Sequence, residues 1–114
     1  MNWIQLTTEE QIDKISEQSK TKPVLIFKYS SRCSICDRVQ YIMEGNWNTH
    51  SEENAEKITP YFLNLIKYRN VSNEVARKFK VMHESPQAIV IKDGKAVYTE
   101  SHGYISLDDI LKSI

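Results

Sequence analysis

The stretch Arg32-Cys33-Ser34-Ile35-Cys36-Asp37-Arg38 holds both cysteines of the chain and decides how the rest is read. It follows the apolar run Pro23-Val24-Leu25-Ile26-Phe27 and opens a helical pattern at Ile35, Val39, Ile42 and Met43. A run rich in β-branched and aromatic residues that ends in Tyr29-Ser30-Ser31 reads as a buried strand over residues 23–29 with its exit loop. The thiols therefore fall at a strand-to-helix junction. With Cys33 as N-cap, its sulfur faces the free N–H groups of the first helical turn, where the helix dipole favours thiolate. Arg32 and Arg38 add positive charge, and the three-residue offset brings the Cys36 sulfur within reach of a short, reversible disulfide.

Other uses of such a pair are weaker. A structural zinc site needs four ligands, and His50, His83 and His102 show no spacing that completes one. A structural disulfide across so short a loop removes little chain entropy. Ser34 and Arg32 make a poor apolar setting for two ordinary core cysteines.

The 114 residues read as one domain, 1–114, large enough for a core without staples. Fifteen basic and fifteen acidic side chains leave no net charge, which argues against nucleic acid or an anionic membrane as main partner. Neither an export signal nor a membrane-spanning stretch is recognisable, so a cytoplasmic location and a monomer are expected. In that compartment a close cysteine pair is more often catalytic or metal-binding than structural.

Outward from the active stretch, Thr7-Thr8-Glu9-Glu10 reads as a capping box for a helix with Ile12 and Ile15 on one face. The redox helix is expected from about Cys33 to Met43, with Gly45-Asn46 as its stop and a short helix around Glu52–Lys57. Residues 60–68 read as a second buried strand, and Ser72 as the cap of a helix carrying Val75, Ala76 and Phe79. Gln87–Lys92 is a third strand. Asp93-Gly94 joins it to Lys95-Ala96-Val97-Tyr98-Thr99 as an antiparallel hairpin, and Ser106 caps a closing helix with Leu107, Ile110 and Leu111. Strand-helix alternation in the first half implies parallel strands.

This plan, with Cys-x-x-Cys at the first strand exit, resembles the thioredoxin fold: α/β, a central mixed sheet of about four strands flanked by helices. The resemblance implies a cis bond at Ser85-Pro86, facing the cysteines and offering backbone groups to a substrate peptide or thiol. Thioredoxins also carry a buried acid six residues before the first cysteine, where this chain has Phe27.

His83-Glu84-Ser85-Pro86-Gln87, with Lys92-Asp93-Gly94-Lys95 and Ser101-His102, is similar to the YtxJ-like family, the monothiol bacilliredoxins. That family's loop commonly reads Thr-Cys-Pro-Ile-Ser; here Ser34 replaces the proline and Cys36 stands where serine is usual. Ser101-His102-Gly103-Tyr104-Ile105 lacks the tryptophan expected after the histidine. The resemblance implies reversal of mixed disulfides between bacillithiol and cysteines of client proteins, with the low-molecular-weight thiol as co-substrate and no bound cofactor or metal. Thiol chemistry read from the residues themselves gives Cys33 as nucleophile and Cys36, where this chain departs from the family, as resolving thiol, with Arg32, Ser34 and, by the thioredoxin resemblance, Ser85 and Pro86 around the substrate. Electrons come from that thiol or from a thioredoxin-type reductase. A general protein-disulfide reductase, or an inert or zinc-binding interaction module of the same fold, are the alternatives. His83 is an auxiliary candidate for proton transfer, although fixing a loop by hydrogen bonds is the plainer role. Lys28 and Tyr29, at the strand's end, read as exposed, and Trp47 as core.

Overall fold

A computed structural model describes all of residues 1–114. Its elements are β1 (Ile4–Gln5), α1 (Glu10–Gln18), β2 (Val24–Tyr29), α2 (Cys36–Asn48), α3 (Ser51–Lys57), β3 (Thr59–Asn64), α4 (Arg69–Phe79), β4 (Gln87–Lys92), β5 (Lys95–Ser101), a 3-10 turn (His102–Tyr104) and α5 (Leu107–Lys112). The five strands form one sheet in the order β1-β3-β2-β4-β5. β1, β3 and β2 run parallel, whereas β4 is antiparallel to both β2 and β5. No helix is long and apolar enough to cross a membrane.

Alternation along β2 divides the core between the two faces of the sheet. Val24 and Ile26 join Ile12 and Ile15 of α1 and Val71, Val75 and Phe79 of α4 on one face. Leu25 and Phe27 join Val39, Met43 and Trp47 of α2 and Leu107 and Ile110 of α5 on the other. A strand buried on both sides shows no polar alternation, which is why its sequence is a continuous apolar run.

Five strands replace the expected four. Ile4 and Gln5 pair with Tyr61 and Phe62, and the Leu6 N–H donates to the Phe62 carbonyl at 2.8 Å. So short an edge strand leaves no readable period.

The helix starts shift for local reasons. At α1 the reciprocal cap is Thr8 with Gln11: the Gln11 side-chain oxygen accepts from the Thr7 and Thr8 N–H groups at 2.7 and 3.0 Å, and the Gln11 N–H donates to Thr8 Oγ1 at 3.4 Å. α2 does not stop at Gly45 but continues to Asn48. Trp47 lies on the stripe of Val39 and Met43 and is fully buried. Burying such a ring contributes more than the roughly 1 kcal/mol that an interior glycine costs. α4 begins at Arg69, so Ser72 sits inside the helix rather than capping it. Val71 starts the buried stripe a turn earlier than the sequence suggested, and Asn64 Oδ1 organises the preceding turn by accepting from the Ile66 and Lys67 N–H groups, both at 3.2 Å.

The hairpin and the last helix form as read. Asp93 and Gly94 take φ of 53° and 74°, the left-handed pair a two-residue turn requires. Ser106 Oγ accepts the Asp109 N–H at 3.4 Å.

Candidate active site

The end of β2 releases the chain into a tight loop. The Arg32 N–H donates to Ser30 Oγ and the Cys33 N–H to the Ser30 carbonyl, each at 3.1 Å. Cys33 is not the N-cap of α2. Residues 33–36 close a turn of their own, in which the Cys36 N–H donates to the Cys33 carbonyl at 3.4 Å. α2 begins at Cys36, with Ile35 at the cap position and no side-chain cap bond. Across the loop, the Tyr29 hydroxyl donates to Asp37 Oδ1 at 2.6 Å, tying the strand end to the first turn of α2. The Asp37 hydrogen bond pushes the Tyr29 phenol above its ordinary range.

Both cysteines are free thiols, Cys33 half-buried and Cys36 buried. Burial pushes the Cys36 thiol up to about 11, helped by the hydrogen bond it gives the Cys33 sulfur. Ser85 comes into the site from the segment entering β4, the neighbour of β2: its Oγ lies 3.6 Å from Cys36 Sγ, and this contact, after a backbone hydrogen bond at Ser30, pulls the thiol back down. The Ser85–Pro86 peptide is cis. Ser85 thus meets the second sulfur, while Arg32 and Ser34 stand exposed on the rim of the loop.

Phe27 occupies the position six residues before Cys33 and packs against Trp3 and Phe62, with ring centroids at 5.7 and 6.0 Å. No carboxylate therefore backs the second thiol from that position. The histidines do not gather at the sulfurs: His102 Nε2 lies 3.3 Å from Glu84 Oε2, and His83 Nδ1 lies 3.3 Å from Lys28 Nζ.

Lys28 is the residue that sequence reasoning misplaced. It is fully buried rather than exposed, and its ammonium donates to the Ser72 carbonyl at 3.1 Å. Burial brings it down to about 8. The neighbouring histidine, exposed on its outer side, is held below the usual imidazole range by partial desolvation, then by the Lys28 and Arg69 charges. One signal was available: Lys28 follows Val24 and Ile26 at the strand period, so its side chain enters the core face of α1 and α4.

Beside the loop, a groove of about 270 Å³ runs between α2 and the segment after β5, lined by Ile35, Arg38, Val39, Ile42, Gly103 and Ile105. Ile42 remains half exposed in it.

A thioredoxin-type sheet with a close thiol pair at the exit of β2 defines a thiol-disulfide oxidoreductase. A candidate oxidoreductase with a thioredoxin fold aligns with a TM-score of 0.78 at 26% identity, covering 96% of this chain and 91% of that one. Thioredoxin from Malassezia sympodialis aligns with a TM-score of 0.76 at 16% identity over 97% and 89% of the two chains. Oxidised thioredoxin from Plasmodium falciparum gives 0.70 at 17% identity over 97% and 96%. The chain matches the monothiol bacilliredoxin BrxC family over residues 4–110 and belongs to it.

Proposed function

We propose that this protein reduces mixed disulfides between a low-molecular-weight thiol, bacillithiol or a close analogue, and cysteines of client proteins. Cys33, as thiolate, attacks one sulfur of the mixed disulfide; a new S–S bond forms at Cys33, the old one breaks, and the departing thiolate takes up a proton. Cys36 then loses its proton and attacks the Cys33 adduct, releasing the second thiol and leaving a Cys33–Cys36 disulfide. Two electrons from the low-molecular-weight thiol or a thioredoxin-type reductase restore both thiols. Arg32, Ser34, Ser85 and Pro86 border the path of the incoming disulfide. The groove at Ile35 and Ile42 takes an apolar client residue, with Arg38 favouring an acidic neighbour. Such chemistry belongs to the reducing cytoplasm.

The observation that carries this reading is the inequality of the two sulfurs: Cys33 is accessible, and the buried Cys36 thiol hydrogen-bonds to it. The second cysteine departs from a one-thiol cycle and supports resolution within the protein. The deciding experiment is mass spectrometry of Cys36→Ser after exposure to a bacillithiolated client and, separately, to a plain protein disulfide. A trapped adduct on Cys33 that forms faster from the bacillithiolated client supports the reading. Equal trapping favours a general protein-disulfide reductase, and no adduct from either removes the exchange chemistry.

A further inference from the structure

Lys28 has no part in the exchange steps, yet its ammonium is buried between a carbonyl and an imidazole instead of a carboxylate. A purely structural interior position is usually better filled by an apolar side chain. Lys28 and its two partners belong to different elements: Lys28 to β2, which delivers the active loop; Ser72 to α4; and His83 to the segment that carries Ser85 to the Cys36 sulfur. We infer that Lys28 is a positioning residue for the disulfide exchange proposed above, pinning the His83–Pro86 segment to β2 and α4 so that Ser85 stays against Cys36.

The donor inventory fixes the proton arrangement. An ammonium only donates, so His83 Nδ1 must accept and the ring must be neutral, with its proton on Nε2. Protonating His83 removes the acceptor and sets two cations 3.3 Å apart, which releases the pin in acid. The other charges facing this pair are Arg69, from the first turn of α4, and Glu84, which is itself held by His102. Arg69 opposes protonation of His83 and Glu84 favours it. Loss of the Lys28 proton in alkali leaves an amine that still donates. Lys28 is not among the groups that perturb the Cys36 thiol, so its action runs through backbone placement and not through the sulfur's charge.

The test uses the full chain as wild type, Lys28→Met, His83→Leu and His83→Gln; glutamine keeps a non-titrating acceptor. Nitrogen-15 NMR at neutral pH is expected to show Nδ1 of His83 as the unprotonated acceptor, with its resonance moving in Lys28→Met. In single turnovers of a peptide disulfide-linked to bacillithiol, release of the second thiol is expected to slow up to about fivefold for Lys28→Met and His83→Leu, as far as loss of the Ser85 contact itself slows it. In His83→Gln it should recover most of the wild-type value and lose only the part of the wild-type decline in acid that exceeds the fall in thiolate, read from the alkylation rate at the same pH. Alkylation of Cys33 by iodoacetamide should change less than twofold among the proteins at any one pH. A wild-type rate of release in Lys28→Met, identical behaviour of the leucine and glutamine variants, or a proton on Nδ1 would each overturn the inference. A wild type that alkylates normally but turns over no mixed disulfide would instead defeat the exchange reading. In that event the NMR comparison still decides the pin: an unmoved His83 resonance in Lys28→Met refutes it.

Discussion

Replacing Lys28 by methionine should change how stability depends on pH in a way no surface substitution can. The ammonium falls from 10.5 to about 8 on folding because burial disfavours its charge. At roughly 1.4 kcal/mol per pH unit, that displacement corresponds to about 3 kcal/mol of native-state penalty borne below pH 8. Between about pH 8 and 10.5 the unfolded chain binds the extra proton and the folded chain does not, so stability rises with pH and the penalty disappears. Methionine fills similar volume without charge but forfeits the bonds to Ser72 and His83, at about 1 kcal/mol each. Lys28→Met is therefore expected to be about 1 kcal/mol more stable than wild type at pH 7 and about 2 kcal/mol less stable at pH 10.5. Urea unfolding of both proteins across this range, under reducing conditions, measures the crossover. Cys36 pushes the other way, because its raised thiol value makes stability fall as pH climbs through the alkaline range, but it does so in both proteins and cancels from the difference. A difference that stays flat from pH 7 to 10.5 would refute the claim that this ammonium is buried without a compensating carboxylate.

Three further outcomes concern the site. Burial, the leading cause of the raised Cys36 thiol, persists when Cys33 carries an adduct, so thiolate stays the minor form at neutral pH and the resolving step should quicken with pH between 7 and 9, up to about tenfold per unit. Stopped-flow release of the second thiol measures it, and a pH-independent rate would be incompatible with a buried thiol. Ser85→Ala removes one of the two contacts that lower Cys36, the other being the Ser30 backbone, and should slow resolution up to about fivefold while leaving the first attack unchanged in single-turnover traces. Ile42→Asp, in the half-exposed groove beside the loop, should raise KM for a protein client about tenfold yet leave a small aromatic disulfide reacting normally; equal effects on both would show that the groove does not hold the client.

The parts of the protein that depend on neighbouring residues were legible in the chain alone. Asp93-Gly94 admits one kind of hairpin, Ser106 has its amide partner within a turn, and β2 announces burial on both faces by its unbroken apolar run. The pairing of Cys33 with Cys36, and the arrival of Ser85 opposite them, followed from strand order and turn chemistry once the thioredoxin pattern was recognised. What tertiary structure alone decided involves partners far apart in sequence. Gly45 lost its role as a stop because Trp47 has a core to enter, and Ile4–Gln5 became a strand because β3 offered it an open edge. Cys33 was displaced from the helix cap when the Cys36 N–H closed a turn onto the Cys33 carbonyl. Lys28 shows the division most plainly: the strand period aims its side chain at the core face, yet a charge at a strand's end reads as exposed. Whether it is buried depends on where α4 and the His83 segment pack, 44 and 55 residues away along the chain. Local sequence determines backbone preference through sterics and short-range hydrogen bonds, whereas the environment of a charge is set by everything folded around it.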